Sequence, residues 1–243
     1  MQAKLYVIPG SHPCDCVEAA LRIKGVDHSR LDLLPGIHKA VIGRRFDGST
    51  APALELDGER LVGSRRILRR LDEVVPEPPL LPADPDLRAK VEEAEGWGEE
   101  VLQPLVRRVT WATLKRDRQA MLSYTREAKL GLPQPLIALG AAPVAAMACH
   151  YNNATDDVVS ADIQALPGHL DRIDGWVAEG VVGGEQPNMA DLQIGSSLRL
   201  LQSLGDVRPL LEGRPCAKLA ERGFRPLAGS APQGVLPAAW VRA

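Results

Sequence analysis

Five prolines fall within the ten residues from Pro76 to Pro85. No helix or central strand survives that density, because proline removes a backbone donor and fixes its own torsion. The segment therefore reads as an extended linker over 76–87. It divides the chain into two parts of different character. Strand and helix signals alternate before it; strand signals vanish after it.

In the first part, 1–75, the apolar run Lys4–Ile8 stops at Pro9-Gly10 and predicts a buried strand. From Cys14 to Lys24, Val17, Ala20 and Leu21 recur at helical spacing, and Gly25 is a natural stop. Arg30–Leu34 alternates charged and apolar residues, as a half-buried strand does. The polar, glycine-containing stretch Pro35–Thr50 reads as a loop. Ala53–Leu56 and Glu59–Val62 flank Asp57-Gly58, the best hairpin signal in the chain. Ser64 is placed to cap a helix through Asp72. The order is β-α-β, loop, β-β-α, the thioredoxin arrangement.

In the second part, 88–225, Ala94, Trp97, Val101, Leu105 and Val109 draw an apolar stripe on one long helix that Pro104 kinks. Further helices are expected over Arg118–Leu130, Leu136–Tyr151, Val158–Glu179 and Met189–Leu204, with a short one near Cys216–Arg222. A proline- and glycine-containing tail, 226–243, carries Trp240 and is expected to dock on the body.

Bulk properties exclude several classes. The formal net charge is −2, with no block of one sign, so neither nucleic acid nor an interaction tail is indicated. Four cysteines in 243 residues are too sparse for a disulfide framework. His12, Cys14 and Cys16 lack a second ligand cluster, so no metal is expected. Without a visible signal peptide or a membrane-length apolar run, the expected compartment is the cytoplasm.

Six local signals, in order, resemble those of the cytosolic glutathione transferase superfamily. They are Leu5-Tyr6 through Ser11-His12-Pro13-Cys14, then Lys24-Gly25-Val26, then Ala51-Pro52-Ala53-Leu54. Next come Asp57-Gly58 with Gly63-Ser64, the linker Pro79-Leu80-Leu81-Pro82 with Asp84 and Arg88, and Asn188-Met189-Ala190-Asp191. The resemblance covers most of 4–205. It implies an α/β thioredoxin-like N-terminal domain joined to an all-α C-terminal domain, a homodimer, and glutathione or a similar thiol as cosubstrate without a tightly bound cofactor.

The resemblance also implies roles. Ser11 would donate to the thiol sulfur and hold it as the thiolate, favoured by the helix N-terminus; as a residue type it is equally a helix cap. Cys14, in the same first turn, is a reserve nucleophile if its sulfur faces the site, or a buried apolar residue. Pro52 would be cis, which leaves the Ala51 backbone free to pair with an extended ligand. Ser64 would bind a ligand carboxylate. Gly63 stands where the family carries an acidic or amide residue, which removes a contact to the ligand's ammonium group. Arg65 is placed to add charge for an anionic ligand, or lies on a solvated face. As residue types, Trp97, Arg107, Arg108, Trp111 and Tyr124 suit a pocket for an apolar or anionic co-substrate, with Trp97 fitting core packing as well. Asn188 and Asp191 form a structural capping box. Two functions follow: thiol transfer to an electrophile or disulfide, or a non-catalytic binding or interaction protein with the same fold.

Overall fold

The computed structural model describes residues 1–241, so the last two residues of the expected tail lie outside the described residues. The chain begins β1 (Ala3–Val7), α1 (His12–Ile23) and β2 (His28–Asp32). Then come α2 (Ile37–Gly43), β3 (Ala53–Leu56), β4 (Glu59–Val62) and α3 (Ser64–Val74). The strand order is β2-β1-β3-β4. β1 runs parallel to β2, with Leu5 opposite Arg30, and antiparallel to β3, with Leu5 opposite Leu54. At the hairpin, Asp57 and Gly58 both take positive φ, which suits the tight turn their identities indicated.

β1 is central, so both of its faces are covered. Leu5 and Val7 join the main core with α1 and α3, whereas Tyr6 packs with Ile42 and Phe46 on the other face. Those two residues come from the stretch expected to be a loop. It contains α2 because the second face of the sheet needs an apolar cover, and Ile42 supplies it from a short helix without local periodicity.

The linker leads into α4 (Pro85–Trp97), capped by Asp84, whose side chain accepts from Leu87 N. A π-helical turn, Gly98–Leu102, joins α4 to α5 (Gln103–Arg116). Gln103 N reaches back to Gly98 O, and Pro104 follows in the first turn of α5. The wide turn shifts the helical phase. Val101, expected on the buried stripe, is 37% exposed, and Leu102 is buried in its place.

α6 (Arg118–Ser123) is shorter than expected and gives way to turns. After it come α7 (Gln134–Tyr151), α8 (Asp156–Ala178) and α9 (Met189–Gln202). The Asn188–Asp191 capping box forms in full at the start of α9. α9 packs against α1, so the two domains share one core. The tail lies on the helical domain. Asp206 accepts from the backbone N–H groups of Gly234, Val235 and Leu236, and Trp240, in α10 (Ala238–Val241), stacks beneath Arg116 at 4.9 Å. No described helix is long and apolar enough to cross a membrane.

Candidate functional site

Ser11 caps α1 with an extended backbone, φ −84° and ψ 112°, yet its hydroxyl makes no bond to the helix N–H groups. The preceding turn is tight: Gly10 has φ +74°, and Ser11 N donates to Ile8 O at 3.1 Å. The hydroxyl is thus left at the mouth of the helix, where partial positive charge favours an anion. It is also within hydrogen-bonding reach of the Cys14 thiol.

Cys14 itself is 2% exposed. Burial pushes its thiol up to about 12, against smaller opposing contributions from Ser11 and the Ile8 backbone. Cys14 is therefore a neutral thiol beneath Ser11. Cys16 turns toward the helical domain, where its sulfur meets Gln193 Oε1 at 3.5 Å.

The Ala51–Pro52 peptide is cis. Among the described residues, the backbone groups of Ala51 have no protein partner. Pro52 O accepts from Gly63 N at 3.0 Å, which ties this strand entry to the turn before α3. Gly63, not Ser64, occupies the cap position, with φ +91° and ψ 138°. That backbone conformation belongs to glycine, so the turn itself selects the residue that departs from the family pattern. Ser64 becomes the first helical residue and is buried. Arg65 is drawn aside: its Nε lies 3.3 Å from Glu95 Oε2, which also takes Arg69 Nη2 at 2.6 Å.

A cavity of about 440 Å³ opens between the domains. Ser11, Ala51 and the first turn of α2, with His38 and Lys39, form one wall. Arg107, Thr110, Trp111 and Leu114, one face of α5, form another, and α6 and α7 close the third. Ser11, Ala51, Trp111 and Tyr124 are thus brought together. Gly63 and Arg65 are not; they border a shallow surface depression beside α3.

Tyr124 meets the cavity with its ring only. Its hydroxyl points away, 2.6 Å from Ser203 Oγ, and burial raises it to about 12. Arg108, expected in the pocket, pairs twice with Asp162 at 2.6 and 2.8 Å and faces α8. Trp97 packs edge-on to Trp176 at 5.2 Å, in the helical core. Sequence reasoning passed over His12, Lys39 and Met147. His12 was read only as a possible metal ligand, and Lys39 sits on the helix that periodicity did not reveal. No cluster of metal-ligating side chains occurs among the described residues.

The four-stranded sheet and the helical second domain define a glutathione-transferase-like two-domain fold. Residues 5–79 match the family described as "Glutathione S-transferase, N-terminal domain". Residues 5–79 thus carry the family's N-terminal domain, and the full length has the two-domain fold of solved glutathione transferases. Among solved structures, a β-etherase from Sphingobium sp. strain SYK-6 superposes with a TM-score of 0.68 at 20% identity, covering 94% of this chain and 97% of that one. A glutathione S-transferase from Rhodospirillum rubrum F11 gives 0.64 at 21% identity, covering 98% of both chains. In sequence, the chain is 36% identical to a probable maleylacetoacetate isomerase of Drosophila melanogaster over 93 residues. That match spans 33% of this chain and only 37% of the fly protein.

Proposed function

We propose that the protein is a glutathione-transferase-type enzyme that binds a low-molecular-weight thiol and joins it to an electrophile. The carrying observation is the Ser11 hydroxyl, which makes no bond to the helix N–H groups and borders an interdomain cavity. The thiol loses its proton to water as Ser11 and the helix end stabilise the thiolate. The sulfur then forms a bond to the electrophilic carbon, and a leaving group departs with its electron pair or, in an addition, the product takes up a proton. The free Ala51 backbone pairs with the cysteinyl part of the cosubstrate, and Ser64 holds its carboxylate. Cys14, buried as a neutral thiol, supports the bound sulfur's site from below rather than attacking. The enzyme works as a cytoplasmic homodimer. The likeness to a probable isomerase adds isomerisation to the proposed range of reactions.

A second reading, a non-catalytic binding protein, is favoured by Gly63 and by the engagement of Arg65 with Glu95. Thermal melting with millimolar glutathione and other cellular thiols separates the two. A ligand at a hundred times its Kd adds about 2.7 kcal/mol, or roughly 5–10 °C for a chain of this size. A shift that is lost in Ser11→Ala, together with a 10- to 100-fold fall in thiol-dependent turnover, is expected from one charge-assisted hydrogen bond. If no thiol moves the midpoint, the binding-protein reading takes over.

A further inference from the structure

The cavity is lopsided in charge. Arg107 and Lys39 border it, and among the described residues no Asp or Glu does. Arg107 is half-buried, and among the described residues it forms no ion pair; its hydrogen bond goes to Gln103 Oε1 at 2.7 Å. Neighbouring arginines are treated differently. Arg108 holds Asp162, Arg116 holds Asp156, and Arg214 holds Asp171 and Asp174. Only the arginine facing the cavity lacks a carboxylate in this set.

Beside it lies His12, 2% exposed, whose Nε2 has no partner among the described residues. Burial, then the Arg107 charge, holds the ring well below its ordinary value, so it brings no positive charge of its own. A guanidinium withdrawn from water without a counter-ion is costly, and the cost is relieved when an anion arrives. Around this cation the walls are apolar: Trp111, Leu114, Ile137, Val144 and Met147 line the same space.

We propose that the cavity takes an apolar organic anion, with its carboxylate or other oxyanion paired to Arg107 and its hydrocarbon body against Trp111 and α7. This rests on the transferase reading only in making that anion the electrophilic co-substrate. Arg107 is then the residue that determines charge specificity.

The test uses two fluorescent probes of similar shape, the anionic 8-anilinonaphthalene-1-sulfonate and the neutral N-phenyl-1-naphthylamine. They are titrated into the parent, Arg107→Gln and Arg107→Lys. Arg107→Gln is expected to weaken the sulfonate by 10- to 100-fold, the range of a charge-assisted pair, and the neutral probe by less than threefold. Arg107→Lys restores most of the sulfonate affinity. Equal losses for both probes, or none, overturn the proposal. A second measurement needs no variant: 1-naphthaleneacetate is expected to displace the neutral probe from the parent at least tenfold more tightly than 1-naphthaleneacetamide. Equal displacement also overturns it. Glutathione-dependent melting reads the thiol site separately. Anion preference without a thiol shift keeps this inference and removes the transferase reading; a thiol shift without anion preference does the reverse.

Discussion

Lys24 Nζ lies 2.6 Å from Asp72 Oδ1, with the lysine side chain fully buried. The same ammonium donates to the carbonyls of Val75 at 2.7 Å and Pro78 at 2.6 Å. Asp72 Oδ1 also accepts from Leu80 N at 2.7 Å. One buried charge thus fastens the end of α1 to the end of α3 and to the start of the linker. This gives a physical reason for a lysine ahead of Gly25: the proline-rich linker offers carbonyls that its own chain cannot satisfy.

Lys24→Met removes that charge and strands Asp72 and two carbonyls. Breaking a buried pair costs about 3–5 kcal/mol, so the melting midpoint should fall by about 10 °C. Calorimetry checks this; a fall under 2 °C would show that the linker is held by apolar packing alone.

All four cysteines are free and buried. Burial pushes Cys14 and Cys216 to about 12, Cys16 well above its ordinary value, and Cys149 upward. Thiolate is the reactive form, so native protein at pH 7.5 should show no fast reaction with a chromogenic disulfide reagent. Four thiols should appear in denaturant. A fast native thiol that disappears in Cys14→Ala would reinstate Cys14 as a nucleophile.

Asp15, in the first turn of α1, is raised to about 7, first by burial and then by Glu18, against Arg30, Arg199 and Arg22. Its folded value lies above its unfolded value of about 3.9, so the folded state holds the proton more tightly. The stability it contributes is fully present below about pH 4 and is lost as pH rises through about 7. Asp15→Asn should therefore stabilise the protein more at pH 8 than at pH 5, by on the order of 2–3 kcal/mol. Melting curves of both proteins between those pH values test it, and parallel curves would refute it.

Tyr124 is wedged between two glycines. A Cβ on Gly229 would fall 2.4 Å from Tyr124 Cγ, and one on Gly10 would fall 2.9 Å from Tyr124 Cδ1. Gly229→Ala should cost about 2–3 kcal/mol by overpacking and should loosen the tail at Ser230. Gly175→Ala is the control, since nothing lies within 4 Å of it inside α8. It should be neutral or stabilising by up to about 1 kcal/mol. Limited proteolysis of the tail and melting read both; equal behaviour of the two variants would remove Tyr124 as the cause.

The chain's local signals determined what depends on a residue and its near neighbours. The prolines between Pro76 and Pro82 forbid regular structure, Asp57-Gly58 permits positive φ, and Asn188 and Asp191 cap the start of α9. These are backbone preferences, so they survive without knowledge of the fold. Placement and charge were decided only by packing. Arg107 and Arg108 are adjacent in sequence, yet one faces a cavity and the other Asp162, because α5 turns about 100° per residue between different neighbours. α2 forms because the far face of β1 needs Ile42 and Phe46. Val101 yields its buried place to Leu102 because a π-turn resets the helical phase. Cys14 is buried because the shared core of two domains closes over it. Burial and ion pairing join residues far apart in the chain, and no window along the sequence contains both partners.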